Sequence, residues 1–587
     1  MSASKFEVNL RKLGIPIYNS GSREFELSIA TANFLYRYDR PKWVVRPRNG
    51  EDVATTVKLA NSIGEPITVK NGGHSYAGFS NAKDGILVDL CNMKAIQIED
   101  EVIEGRERKV MIMSGGALWG DAYNELAIGR EHYDGWVVNG GRCPLVGVSG
   151  FILGGGFGPF SRSVGMGMDQ LLEVSVVTAE GDTITVGENN PRDSKEGKLF
   201  WALRGCGGDN FGIVTRLKIK VEKLRDPLVV AGRLTWNVED TSKEDKLKED
   251  KLKENKLTEF KKMMVEFYTA PWDNYLTIDT TWECDLTKSS DTKPFSTRFI
   301  AYYDGTAKNF REEINKQMPN DKHENFRQQL IRRSLAEQST LFLHETLWAQ
   351  WSEETRRSLP TDRAYTLYSS WVIKNDKAKI EQITDILINR IQRFRHKFTG
   401  ERGTFGVTWI HIGGKISEKG PTETPYPWRS GNYCVYILVR WHEKWLVTEM
   451  QAFFEECKNM LKPHSIEGKA SYVNFPDRSL KNWSQAYYGE NLQELQDIHK
   501  TWNPKGRHVL SFKQHIGHQE GAQEAEEDVP EGPGSGARGG APTSKPPMPS
   551  REGAVEEWRE GWQNTKLPPR GCSFADHVPG GDQLPRC

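Results

Sequence analysis

The apolar positions change period repeatedly along the first 222 residues. Residues 43–47 (WVVRP) are β-branched and stop at Pro47, which predicts a short strand. Asn49 and Gly50 open a stretch in which Val53, Val57 and Ala60 recur at helical spacing until Gly64, predicting a capped helix with a glycine stop. Segments 67–70 (ITVK), 86–90 (ILVDL) and 109–115 (KVMIMSG) predict strands, and 119–129 (WGDAYNELAIG) another helix. From about 223 to 475 the alternation lengthens, as in YLTIDTTWECDL (275–286), TRFIAYYD (297–304) and CVYILVRW (434–441). Helical stretches such as 377–394 intervene, so a large antiparallel sheet backed by helices is expected there. Leu492, Leu495, Ile498 and Trp502 predict a last amphipathic helix before Pro504. The fold class expected is α+β.

Composition narrows the setting. The 587 residues are 37% hydrophobic and 27% charged, ample for a large core. Lys plus Arg (79) equals Asp plus Glu (79), so neither nucleic acid nor an anionic membrane is an expected partner. No apolar run reaches the ~18 residues that a membrane helix needs. Eight cysteines lack CxxC or mixed His/Cys spacing, so neither a metal site nor a disulfide scaffold is expected. The first twenty residues lack the apolar core of a secretory signal. A cytoplasmic location is expected, or a secreted one if a leader precedes this sequence. Two stretches stand apart. Residues 517–587 hold 12 Gly and 10 Pro in 71 residues, a composition that predicts disorder. Residues 243–257 are three charged pentads (KEDKL, KEDKL, KENKL), read as a solvated insertion on a surface loop or helix extension.

Four motifs carry candidate chemistry. Lys70-Asn71-Gly72-Gly73-His74-Ser75 leaves a predicted strand, and its paired glycines allow backbone N–H groups close to a phosphate. Alone, it reads better as a loop with a hydrogen-bonded histidine. Eleven glycines lie between Gly135 and Gly167, with Cys143 among them beside Arg142, a cation that favours thiolate. The dinucleotide pattern G-x-G-x-x-G is not met, which disfavours a nicotinamide enzyme. The third motif runs from Leu199 to Val214 and contains Asn210-Phe211-Gly212. The fourth runs from Tyr472 to Asp477 and continues through Trp483, Tyr487 and Tyr488.

In this order the four motifs resemble the FAD-linked oxidases of the berberine bridge enzyme-like family, its fungal members included, over roughly 38–516. The resemblance implies a p-cresol methylhydroxylase-type FAD-binding domain at 38–222, completed by 476–516. Residues 1–37 would be an N-terminal segment. A substrate domain at 223–475 would roof the flavin ring with its antiparallel sheet. FAD would be attached twice, through His74 to the 8α carbon and through Cys143 to ring position 6. Imidazole nitrogen and thiolate are nucleophiles suited to an electron-poor ring. Further implied FAD contacts are Lys70, Asn71, Gly72, Gly73, Ser75, Val146, Gly147, Gly154, Gly155, Gly156, Asn210, Phe211, Gly212 and Val214. Of these, Val146 stands three residues after the cysteine, where the resemblance implies a guard of oxygen access. No metal is implied.

Three departures matter. Lys70 replaces an arginine and loses its guanidinium fork. Asn71 stands where glycine or serine is frequent. Phe475 occupies the place of a tyrosine base in many relatives. Tyr436, Tyr472 and His411 are the remaining catalytic candidates, with Arg429 or His411 expected to assist Tyr436. The function implied is an FAD-dependent oxidase that takes a hydride from a small organic molecule, a secondary metabolite, while oxygen becomes hydrogen peroxide. Alternatives are a carbohydrate oxidase and a flavin-binding protein without turnover. The expected partners are the substrate and oxygen, with the chain a monomer.

Overall fold

The computed structural model describes residues 3–504, apart from 104, 130–133, 209, 238–245, 289–294, 337 and 340–362. The expected disordered tail at 517–587 lies outside the described residues. Among those described, the chain forms three principal sheets, of four, five and seven strands.

The four-stranded sheet runs in the order Ile17–Tyr18, Trp43–Val45, Ile86–Asp89, Ile67–Lys70. Its last three strands are parallel, so the chain must cross over between them. The helix Gly50–Ile63 makes the first crossover. Asn49 caps it by accepting the Asp52 N–H at 2.9 Å, and Gly64 ends it in the left-handed region at φ 71°. The N-terminal residues are built into this sheet through Ile17 and Tyr18, which pair with Val45 and Val44. The antiparallel five-stranded sheet has the order Ile96–Ile103, Arg106–Ser114, Ile213–Lys220, Leu171–Val177, Thr183–Gly187.

The seven-stranded sheet is wholly antiparallel and positions the site. Its order is Gln338–Ser339, Val229–Asn237, Ser296–Tyr303, Leu276–Asp285, Gly403–His411, Tyr433–Trp441, Tyr365–Ile373. Alternation sends Trp282, Cys284, Val407, Trp409, Ile437 and Val439 to one face, where all are buried. They share a core with Phe260, Leu387, Ile391 and Phe453 of the helices Lys246–Thr269, Lys377–Lys397 and Val447–Leu461. The first of these helices begins within the charged pentads, so their described part, residues 246–257, is a helix extension. The other face of the sheet carries Asp279, Thr281, Glu283, Arg298, Thr408 and Tyr436 toward the Gly-rich segments.

A buried guanidinium ties the helix Ser161–Val164 to the seven-stranded sheet. Arg162 donates to the carbonyl oxygens of Leu276 (2.7 Å), Ile412 (2.7 Å), Trp272 (2.9 Å) and Asp273 (3.1 Å). These carbonyls flank two central strands of the sheet. Losing the guanidinium would leave the buried carbonyls of Leu276, Ile412 and Trp272 short of a donor, at about 1–3 kcal/mol apiece.

Candidate active site

The strand Ile67–Lys70 delivers the chain into a loop that can only be built from glycine. A Cβ on Gly72 would stand 2.2 Å from the Leu145 carbonyl oxygen and 2.8 Å from the Gly147 nitrogen. One on Gly147 would meet the Asn71 side chain at 2.4 Å. The loops 71–75 and 143–147 therefore touch backbone to backbone, and Asn71 rivets them in place. Its Nδ2 donates to the carbonyls of Gly115 (2.7 Å) and Ala117 (3.2 Å) and to Ser149 Oγ (2.9 Å). This close approach brings His74 and Cys143 to the wall of one cavity of about 370 Å³.

Burial and the Lys70 charge lower the His74 pKa from 6.5 to about 4, so its imidazole is neutral at neutral pH. A neutral ring has the lone pair that a nucleophile needs. Cys143 is buried, 7% exposed. The neighbouring Arg142 guanidinium donates to the Phe157 carbonyl at 2.9 Å and pairs with Asp279 on the sheet at 2.5 Å. Asn71, Gly72, Gly73, Ser75, Val146, Gly147, Gly212 and Val214 also line the cavity.

Other expected contacts lie behind the wall. Lys70 turns away, donating to the Ser28 carbonyl at 2.6 Å while its stem packs under Gly73. Gly154, Gly155 and Gly156 serve packing: a Cβ on Gly154 would stand 1.9 Å from Asn474 Oδ1, and Gly156 N–H donates to the Tyr472 hydroxyl at 2.6 Å. Asn210 closes its own turn on the Cys206 carbonyl at 2.7 Å, and Phe211 is buried against His499. None of these six is among the residues lining the cavity.

The three catalytic candidates part company. Tyr436 lines the cavity, stacked on Tyr368 at 4.9 Å and tilted against Phe475 at 4.7 Å. Tyr472 also lines it, but its hydroxyl accepts from Gly156 and Asn474, and burial raises its pKa. His411 sits on the opposite face of its strand, stacked on Tyr433 at 5.0 Å, and accepts the Ile278 N–H at Nδ1. Burial and the Arg162 charge push its pKa well below the ordinary value, so its ring is that of a neutral core histidine and is not among the cavity's lining residues. Arg429 likewise stands off the cavity, held to Asp169 by two bonds of 2.8 and 2.9 Å.

The sequence reading missed the sheet face. Asp279, Thr281, Glu283, Arg298 and Thr408 form much of the cavity floor. Thr281 and Thr408 share a hydroxyl hydrogen bond of 3.0 Å across their strands. Tyr76 and Tyr368 were also missed; their rings stack at 4.6 Å and 5°. The alternation in LTIDTTWECD was legible and the resemblance implied a sheet over the flavin, but a polar strand face ordinarily meets water, and the pattern itself did not mark these residues as the enclosed ones.

The wall fits a flat cofactor laid along bare backbone. Gly150 and Gly208 line the cavity with nothing within 4 Å of where a Cβ would stand. His74 and Cys143 line that same space together with the polar face of the sheet. Family models match the FAD binding domain at residues 41–187 and the berberine and berberine-like segment at 471–516. The chain is 25% identical over 517 residues to the FAD-linked oxidoreductase YgaK of Bacillus subtilis, spanning 85% of this chain and 95% of that one. It is 22% identical to the tetrahydroberberine oxidase of Argemone mexicana, over 84% and 87% of the two chains. The solved berberine bridge enzyme of Eschscholzia californica shares the fold, with TM-score 0.67, 20% identity and coverage of 88% and 99%. The chain is therefore an FAD-linked oxidoreductase of the berberine bridge enzyme-like family, built on the p-cresol methylhydroxylase-type FAD-binding fold.

Proposed function

We propose that this chain is an oxidase that removes a hydride and a proton from a small organic substrate, a secondary metabolite, with oxygen as acceptor and hydrogen peroxide as product. The observation that carries the reading is the placement of His74, Cys143 and Tyr436 on one cavity. Bound FAD supplies the hydride acceptor and the route of electrons to oxygen. His74 and Cys143 hold it covalently from the loop side. The sheet face excludes water above the ring, and Tyr436 takes the substrate proton at its phenol oxygen. Phe475 cannot take a proton and Tyr472 is committed to the Gly156 backbone, so of these three aromatic residues Tyr436 is the one assigned the role.

The test is a purified yellow sample mixed anaerobically with a panel of alcohols, amines and sugars. Bleaching by a member of the panel, with colour and peroxide returning on admission of air, is the expected result. A sample that bleaches but regains colour only with an artificial acceptor is a dehydrogenase. One that never bleaches is a binding protein. Sugars belong on the panel because the fold neighbours include a Phl p 4 variant that is a glucose oxidase, with TM-score 0.65 and 20% identity.

A further inference from the structure

The loop that carries His74 is held from behind by a residue far outside the family's flavin motifs. Asn33 is buried, 4% exposed, in the N-terminal segment where it crosses the sheet's edge strand Tyr365–Ile373. Its Oδ1 accepts the Thr366 N–H at 3.1 Å and the Leu35 N–H at 3.2 Å. Its Nδ2 donates to the Thr366 carbonyl at 2.9 Å and to the Tyr76 carbonyl, also at 2.9 Å. Phe34 N–H adds a bond to the Ala364 carbonyl at 2.9 Å. One amide thus takes both the N–H and the carbonyl of Thr366 on the edge strand and ties them to the backbone two residues past His74.

The same junction is reinforced by rings. Tyr76 stacks on Tyr368, which lies on the same strand two residues beyond Thr366. From the other end of the chain, Arg478 donates to the Ala77 carbonyl at 3.3 Å. The amide orientation is fixed by its neighbours, because two carbonyls face Nδ2 and two N–H groups face Oδ1; a flipped amide would leave all four opposed.

We infer that Asn33 is a positioning residue for covalent attachment at His74, registering the attachment loop on the edge of the substrate sheet. This rests on the reading that His74 and Cys143 each bond the cofactor. In the bond at issue, an imidazole nitrogen supplies the electron pair that joins it to the 8α carbon. One hydrogen is lost from the nitrogen and one from that carbon, and both leave as hydrogen peroxide with the two electrons that molecular oxygen takes up. Such a bond needs the ring held at attacking distance, and Asn33 restrains the backbone that sets it.

The experiment separates the two attachments. C143A leaves His74 as the only covalent site, and H74A leaves Cys143. Asn33→Asp is placed in each background: it keeps the acceptor for Thr366 and Leu35 but loses the donors to Tyr76 and Thr366. Flavin per chain is read before and after acid precipitation. In C143A the substitution is expected to lower acid-stable flavin by about tenfold or more, while in H74A it leaves acid-stable flavin at the parent level. A general loss of folding would lower both alike. Equal loss in the two backgrounds, or no loss in C143A, overturns the inference. Flavin already released by acid from the C143A parent overturns the histidyl attachment itself, and with it this role for Asn33.

Discussion

The ring of Tyr436 packs against Tyr368 and Phe475, so replacing it with phenylalanine keeps the packing and removes only the hydroxyl. With a substrate identified by bleaching, Tyr436→Phe is expected to slow anaerobic flavin reduction by about 10²–10⁴-fold, the usual loss of a general base. Stopped-flow absorbance reads the rate, and a wild-type rate in Tyr436→Phe removes the residue from the mechanism. Tyr472→Phe has a different consequence: Gly156 N–H loses its acceptor in a buried setting, at about 1–3 kcal/mol. That variant is expected to melt earlier while losing less of its reduction rate. His411 makes a prediction in pH. Its folded pKa lies well below 6.5, so the unfolded chain binds the proton first. Stability then falls as pH drops below about 6.5, because unfolding takes up a proton. The thermal midpoint of His411→Asn is expected to fall less steeply than wild type on acidification from that pH, as scanning calorimetry would measure.

At the scale of elements, the helices and strands were legible because their periods are unambiguous. The helix Gly50–Ile63 has its cap and stop in the sequence, and CVYILVRW alternates cleanly within the strand Tyr433–Trp441. Glycines misled where they could not say what approached them. Gly72 and Gly154 both forbid a Cβ, yet Gly72 lines the cavity and meets the 145–147 backbone, while Gly154 stands off the cavity and meets the Asn474 side chain. Sequence shows that a close approach exists, and only tertiary structure names the partner. His411 was misassigned for a related reason: neighbours on a strand face opposite ways, and Ile410 took the cavity side. Val146, in the loop that carries Cys143, is where a prediction about oxygen belongs. It lines the cavity, and its carbonyl accepts the Trp119 N–H at 3.0 Å, so its backbone is fixed. Val146→Leu is expected to slow reoxidation of reduced protein in air-saturated buffer while the rate of reduction by substrate stays near wild type. Equal reoxidation rates would refute the gate.

Across the whole molecule, the residues lining the cavity come from both Gly-rich loops, the large sheet and the segment near residue 475, and Asn33 of the N-terminal segment bonds the Tyr76 carbonyl. No single stretch of sequence carries the site, which is why its polar floor escaped notice while His74 and Cys143, each inside a glycine-rich motif, were singled out. The tail contributes little material for packing: its Gly and Pro content leaves few apolar residues to bury. A chain ending at Gly517 is therefore expected to keep its flavin content and its thermal midpoint. Loss of soluble flavoprotein on truncation would show that the tail packs.

The alternation of the seven-stranded sheet has a consequence for how such a protein can change. Trp282 and Cys284 hold the helix-backed core, while Thr281 and Glu283, one residue away, face the cavity. The same division separates Val407 and Trp409 from Thr408. Substitutions that reshape the reaction chamber thus fall on positions that bear little of the packing, and substitutions that would endanger folding fall on positions the substrate never meets. A lineage can explore new chemistry on this floor one residue at a time without first acquiring spare stability.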